Sequence, residues 1–448
     1  MDPRTRQLLE APPTPLLLRL AAPNAVAFLL QSLVSLAEVW FVGRLGTEAL
    51  AALALVFPAF MLTQAMSGGA FGGAVASAIA RALGAGDRDR ADALLWHVLV
   101  VAGLGAATFL AAYLLVGERL LLALGGYGPV LAAAEAYTIV LFGGGLSIWL
   151  MGMVSAVYRG TGNMQFPAFL MIGTSLVQVV LSGCLVLGAF GFPQLGIVGA
   201  AVSAVTAASL SSLVMILRLT GASQAVRLRP GALRLRRELF ADIMRVAAPA
   251  SLSPLLTIGT ILALTALVGR YGEAALAGYG IGSRIEFLVI PLVFGLGAAM
   301  TSLVGIATGA RALDRAERVG FTGGGLAMAL AGGIGIVLAL FPDAWIPLFT
   351  DDADTIATAR TYIRIVGPFF AFQGLGLSLY FASQGAGRML WPIAATIGRI
   401  LVAVGGALLL VGPFGMGLEG IFAAAALAMC LFGLAIALAV RLGAWRVR

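Results

Sequence analysis

The chain of 448 residues contains no lysine, a single histidine and only two cysteines. His97, Cys184 and Cys430 are too few to assemble a metal site, so we expect no metal and no cofactor. No GxxxxGK[ST] motif is present to bind the phosphates of ATP. The glycine-rich run Ser67-Gly68-Gly69 instead suits close helix packing. Neither a nucleophile–base pair nor paired carboxylates are visible, and we therefore do not expect an enzyme.

Charged residues are also scarce, at 11% of the chain against 60% hydrophobic residues, and the mean hydropathy is +1.02. A backbone inside a bilayer must satisfy its own hydrogen bonds, so apolar stretches of roughly 20 residues are predicted to be helices. We predict an all-α integral membrane protein with about 12 transmembrane helices. The stretches are 16–41, 53–80, 94–116, 130–157, 167–190, 196–217, 246–268, 275–308, 319–341, 359–383, 392–411 and 418–440.

The sequence repeats itself at an offset of about 226 residues. Ala22-Pro23 returns as Ala248-Pro249, and Val42-Gly43-Arg44 returns as Val268-Gly269-Arg270. Six apolar stretches belong to each copy, so the two copies have the same orientation and form two pseudo-symmetric six-helix bundles. A duplicated membrane protein usually has its working site between the copies, which makes transport the first hypothesis.

The duplication and the longest polar stretch together suggest three parts. We predict an N-terminal six-helix lobe over 1–219, a basic cytoplasmic linker over 220–245 and a C-terminal six-helix lobe over 246–448. The charge run of the linker suits a solvated, lipid-facing segment better than a binding site.

All 28 basic residues are arginines, and they concentrate in alternate short loops. Most lie on the side that holds both termini, which predicts that both termini are cytoplasmic. The excess positive charge therefore indicates topology and contact with anionic lipid of the bilayer, with no role in binding nucleic acid. The arginines on the opposite side are Arg44, Arg119, Arg270, Arg360 and Arg364.

Glu38 lies within the first predicted helix, about fifteen residues after Pro23. A carboxylate at that depth is costly and is normally held neutral or paired, which suits a reversible proton carrier. The alternative is that Glu38 reaches the outer interface near Arg44. The second copy has Leu264 at the matching position, so the fold does not need an acid there. Pro23 is a candidate hinge, or only a structural kink.

Further polar residues occur on the apolar helices of both halves. Those of the first half are candidates for lining one hydrated cavity with Glu38, although each could instead bond to a neighbouring helix. They are Gln31, Thr63, Gln64, Gln178, Ser182 and Ser203. In the second half, Arg284, Glu286 and Arg399 suit a structural network in which Arg399 is a possible partner of Glu286; substrate contact is the alternative.

Four motifs resemble those of multidrug and toxic compound extrusion (MATE) transporters. They are the repeated A-P…V-G-R-x-G…A-L-A unit, the G-x-G-[NR]-M-x-x-P loop, the turn ending in D-R-A, and GFPQLGIVGAA. The resemblance covers essentially the whole chain. It is to the DinF-like branch, since the first helix carries the acid while helices seven and ten lack the acids of the NorM-like branch.

The resemblance implies two six-helix lobes around a central cavity, alternating access, and export of organic cations or drugs driven by inward proton or sodium flow. It also implies that Glu38 is the coupling site. The chain departs from the family pattern, because the usual acid there is aspartate. Gln178 and Ser182 stand where helix five commonly offers Asn and Asp. Sodium prefers several oxygen ligands with negative charge, so we expect H+ as the coupling ion rather than Na+.

The related fold superfamily also includes lipid-linked oligosaccharide flippases, which is the alternative function. Such flippases tend to line the cavity with several basic residues, and only Arg284 and Arg399 are candidates here. The lysine-free composition rich in alanine, glycine and arginine suggests a GC-rich bacterial genome, so we expect the protein in the bacterial inner membrane. We also expect a monomer.

Overall fold

The computed structural model describes the backbone of residues 3–446 and the side chains of residues 5–286 and 289–446. The predicted all-α fold is confirmed, with two π-helical segments, Ala65–Phe71 and Leu401–Gly405. The α-helices of the described residues are α1 (Pro3–Glu10), α2 (Pro13–Gly43), α3 (Thr47–Gln64), α4 (Gly72–Gly84), α5 (Arg88–Ala123), α6 (Gly128–Gly143), α7 (Gly145–Gly160), α8 (Gln165–Leu187), α9 (Ile197–Leu219), α10 (Arg237–Gly269), α11 (Glu273–Gly309), α12 (Leu313–Leu340), α13 (Ala353–Val366), α14 (Phe370–Ala386), α15 (Leu390–Ile400), α16 (Gly406–Val411) and α17 (Gly417–Arg441).

The prediction of about twelve transmembrane helices is confirmed. Within the described part of the chain, 11 helical spans are long and apolar enough to cross a bilayer, and α6 with α7 forms a twelfth that is bent by 50°. The bend falls at Gly144, within the stretch predicted as 130–157. A Cβ atom on Gly144 would lie 2.4 Å from Val205 Cγ1, so glycine lets α9 pack closely against the bend.

The chain divides into two compact units. The N-terminal unit comprises Val26–Ala247, in which α8 packs on α9, and α7 packs on α4, α5 and α9. The C-terminal unit comprises the residues up to Ala25 together with those from Ala248 on; its α14 packs on α11, α12 and α17. The first part of α2 thus groups with the C-terminal unit. The predicted lobes, 1–219 and 246–448, describe the duplicated sequence and stay a prediction.

The linker is held against α5 within the N-terminal unit. The carboxylate of Asp92 accepts the backbone N–H of Arg227 at 2.7 Å and lies 3.3 Å from Arg229 Nε. Further along, the backbone N–H of Arg236 donates to His97 Nε2 at 2.9 Å. The lone histidine is therefore a buried anchor for the linker backbone, and only part of the linker's polar surface is free to face solvent or lipid.

A glycine directly precedes the second membrane span of each copy. Gly46 precedes α3 with φ 117°, and Gly272 precedes α11 with φ 103°. Residues with a side chain rarely adopt this backbone region, so the final glycine of the repeated V-G-R-x-G motif is needed for the tight turn between two spans.

Substituting either turn glycine should destabilise the protein through the backbone alone. Gly46→Ala and Gly272→Ala should each lower the free energy of unfolding by about 1–3 kcal/mol, the usual cost of such a backbone conformation for alanine. No atom lies within 4 Å of the added Cβ at either position. Thermal melting in detergent is the measurement. Gly43→Ala, in the helical end of α2 with equally open space, is the matched control, and equal melting of control and turn variants would contradict the explanation.

Candidate functional site

The N-terminal unit brings Glu38 of α2 against α8. Gln178 Nε2 donates a hydrogen bond to Glu38 Oε1 at 2.8 Å. Gln178 is buried, while Glu38 is half-buried. A hydrogen-bonded amide stabilises a carboxyl group in an apolar setting without adding a second charge. Two of the predicted site residues are therefore direct partners.

A second contact joins the same two helices. Ser175 Oγ donates to Gln31 Oε1 at 3.3 Å. Ser175 lies three residues before Gln178 and so shares its face of α8. We call Gln31, Glu38, Ser175 and Gln178 the α2–α8 polar seam. Sequence reasoning missed Ser175, although its spacing from Gln178 was a usable signal.

Two further groups lie close to this seam. Ser182 follows Gln178 by four residues on α8; it is fully buried, and its hydroxyl has no hydrogen-bond partner among the described residues. Tyr137 of α6 is buried and lies near enough to interact electrostatically with Glu38. Tyr137 was not predicted, because one tyrosine in an apolar helix carries no periodic signal.

Other cavity candidates of the first half bond within their own helices. Thr63 Oγ1 donates to the Ala59 carbonyl at 2.9 Å, and Ser203 Oγ donates to the Gly199 carbonyl at 2.7 Å. Gln64 is half-buried at the end of α3, directly before the first π-helical segment. The hydroxyls of Thr63 and Ser203 are thus satisfied within their helices, which is a common role for Ser and Thr in membrane helices.

Pro23 lies inside α2, which continues without a break from Pro13 to Gly43. A proline there removes one backbone hydrogen bond and favours a bend. The grouping of the chain changes just beyond it, between Ala25 and Val26. Pro23 is therefore well placed for the predicted hinge, which stays a prediction.

The C-terminal unit holds a separate polar network. Tyr362 Oη donates to Glu286 Oε2 at 3.1 Å. Arg399 donates to Gln373 Oε1 and Thr257 Oγ1, each at 3.2 Å. Glu286 and Arg399 interact electrostatically, but their hydrogen-bond partners are these neutral groups of α10, α13 and α14. Sequence reasoning missed the neutral partners, because polar residues on separate helices carry no mark of their pairing.

Two details complete this network. Glu286 and Gln373 line one small cavity together with Phe370 and Val293. Arg284, two residues before Glu286, is exposed on the surface of the unit and does not join the cluster. The predicted pair of charges in α11 therefore divides into an acid that lines a cavity and an exposed arginine.

The seam makes a specific stability prediction. Gln178→Leu should lower the free energy of unfolding by about 1–3 kcal/mol, because Glu38 loses its hydrogen-bond donor while it stays in an apolar setting. The double variant Glu38→Leu with Gln178→Leu should recover much of this loss, since neither polar group is then left alone. Ser203→Ala is the control and should stay within about 0.5 kcal/mol, because its hydroxyl serves only its own helix. The single variant Glu38→Leu completes the set. If the double variant loses as much stability in thermal melts as the two single variants lose together, the pairing is contradicted.

Comparison with known proteins gives consistent matches along the chain. The profile of the MatE family matches residues 23–183 and, separately, residues 249–409. The two matches begin at the two repeated prolines, so each copy of the duplicated sequence carries one family unit.

Individual relatives cover most of the chain. It is 27% identical over 368 residues to "Probable multidrug resistance protein NorM" of Thermotoga maritima, covering 81% of this chain and 78% of that protein. It is 26% identical over 383 residues to "FAD transporter" of Shewanella oneidensis, covering 84% and 82%. Among solved structures, "Crystal structure of MATE in complex with MaL6" superposes with a TM-score of 0.90 at 27% identity over 100% of both chains.

Proposed function

The chain belongs to the MatE family of membrane transporters, which are not enzymes, and we propose that it exports organic cations or drugs in exchange for protons. The NorM relative supports multidrug export as the general function. The observation that carries the proton-coupled proposal is the hydrogen bond from Gln178 to Glu38 in the α2–α8 polar seam.

The composition of the seam supports a proton as the coupling ion. Glu38 is its one carboxyl group, and its hydrogen-bond partner is a neutral amide. A bound sodium ion favours several oxygen ligands and compensating negative charge, and the seam offers a single acid. One carboxyl group is sufficient to take up and release a proton.

The transport cycle follows from the charge state of Glu38. Facing the outside, Glu38 takes up a proton and becomes neutral, so its attraction for a cationic substrate is lost. The first helix then rearranges about Pro23, and the substrate leaves to the outside. In the inward-facing state the proton is released to the cytoplasm. The restored carboxylate attracts the next cation, which gives exchange by alternating access.

The location of the protein is part of the same proposal. The arginine-rich loops lie on the side of both termini, which supports cytoplasmic termini in the inner membrane of a bacterium. We propose that the single chain is the working unit, since one chain contains both copies of the duplicated sequence.

The proposal is tested by ethidium efflux from proteoliposomes under an imposed pH gradient. Wild-type protein should move the dye, whereas Glu38→Gln should not exceed protein-free vesicles, because its amide cannot carry a proton. Glu286→Gln, which changes the acid of the C-terminal unit, is the matched control and should retain pH-driven efflux. Parallel vesicles carry a sodium gradient in place of the pH gradient.

Other outcomes would point to the alternatives. Efflux that follows only the sodium gradient would replace the proton by sodium. If neither gradient moves the dye, thermal melting should be repeated with polyprenyl phosphates for a flippase and with FAD, the molecule named for one relative. A ligand that binds the folded protein raises its melting temperature. Full activity of Glu38→Gln would show that coupling lies elsewhere.

A further inference from the structure

The second membrane span of the N-terminal unit contains an irregular helical segment. Within Thr47–Gly84, residues Ala65–Phe71 are π-helical, and the N–H of Gly72 donates to the Ser67 carbonyl five residues earlier. Short π-helical turns of this kind insert about one extra residue into an α-helix and are frequent at functional sites. We call Ala65–Phe71 the π segment. The proposed transport cycle assigns it no part.

Helix α7 packs tightly against the π segment. A Cβ atom on Gly152 would lie 3.0 Å from the Ser67 carbonyl carbon and 3.1 Å from Ser67 Oγ. A Cβ atom on Gly72, directly after the segment, would lie 3.0 Å from the Ser67 oxygen and 3.4 Å from Ala156 Cβ. The two glycines thus let the irregular backbone lie directly on α7, so any change in the segment must be accommodated by α7.

Arg159, at the end of α7, reaches this irregular backbone. Its Nη2 lies 3.5 Å from the Gly68 carbonyl oxygen, and its Nη1 donates to Ser155 Oγ at 2.9 Å. Among the described residues, Arg159 forms no ion pair with a carboxylate. An arginine at a membrane helix that is not neutralised by an acid is costly. The guanidinium of Arg159 instead contacts a backbone carbonyl oxygen of the π segment.

The hydroxyl of Ser67 is a second irregular feature of the π segment. Ser67 is fully buried, and its Oγ has no hydrogen-bond partner among the described residues. Buried polar groups are normally satisfied, and an exception points to stored strain or to a state in which a partner is present. Ser67 precedes the carbonyl that Arg159 contacts, so both irregularities fall at one place.

We propose that Arg159 is a positioning residue of the transport cycle, which holds the π segment and thereby sets the rotation of α3, and with it that of Gln64, relative to α4. The inference rests on the proposed transport function. Each residue of an α-helix turns it by about 100°, so conversion of the π segment to a regular α-helix would rotate α3 against α4 by an angle of that order. Gln64 directly precedes the segment and would turn with α3.

The sharpest test is to remove the extra residue. Deletion of Gly69 should turn the π segment into a regular α-helix and leave the rotation of α3 relative to α4 unchanged. We expect a melting temperature no lower than that of wild type, slower amide hydrogen exchange over residues 65–72, and dye efflux near the wild-type rate, because Gln64 keeps its orientation. Efflux at the level of protein-free vesicles from a deletion variant that melts like wild type would overturn the proposal, because the rotation of α3 would then not be what the π segment provides.

Substitution of Arg159 provides an independent test that does not depend on folding of the deletion variant. Arg159→Met should speed amide exchange over residues 65–72 at least several-fold and slow efflux, and Arg159→Lys should restore part of both. Arg218→Met is the matched control, since Arg218 stacks on Phe166 in the same unit, 4.0 Å from the ring centroid. It should change neither readout.

The same measurements separate this proposal from the proposed function. If wild-type protein moves no dye, the transport function fails, while exchange over residues 65–72 still reports whether Arg159 holds the segment. Unchanged exchange in Arg159→Met would overturn the positioning role. So would a general loss of stability without a local increase in exchange, because that is what a merely structural arginine would show.

Discussion

The need to satisfy backbone hydrogen bonds in hydrocarbon is the constraint on which this structure depends. Each span must be helical. The spans therefore differ from one another in the regularity of their backbone and in their few polar side chains. Among the described residues, the departures include a bend at Gly144, prolines within α2, α3, α10 and α11, and two π-helical segments. Each departure frees or shifts backbone groups, so each needs a neighbour that accommodates it. Arg159 is such a neighbour for the first π segment.

Polar side chains are few in the membrane spans, because a buried polar group without a hydrogen-bond partner destabilises the fold. Thr63 and Ser203 each donate a hydrogen bond to a backbone carbonyl of their own helix. Glu38 cannot do so and bonds to Gln178 of α8. The charge state of one side chain therefore bears on the packing of two helices, and the proposed transport cycle relies on this dependence.

The helices and the duplication were predictable, whereas the contacts were not. Apolar length determines a span, so the spans and the repeat at Pro23 and Pro249 could be read from hydropathy and identity alone. Ser175, Tyr137 and Tyr362 joined the polar clusters unpredicted, because their roles depend on which helices become neighbours. The π segment also escaped prediction, since Ser67-Gly68-Gly69 is equally compatible with a regular, closely packed helix.

The two copies share one of the polar contacts between their helices and differ in another. Thr257 stands where the first copy has Gln31, and each links the first helix of its copy to the fifth, through Arg399 and Ser175 respectively. This link is therefore part of the duplicated scaffold.

Glu38, Gln178 and Ser182, by contrast, correspond to Leu264, Ala403 and Ala407 in the second copy, at an offset of about 225 residues. A shared scaffold does not require the acid or its amide partner, since the second copy folds with apolar residues at all three places. The polar groups of the first copy persist at a cost in stability that folding alone does not explain. Their presence in only one copy of the duplication is the reason why the proposed function places coupling in the N-terminal unit.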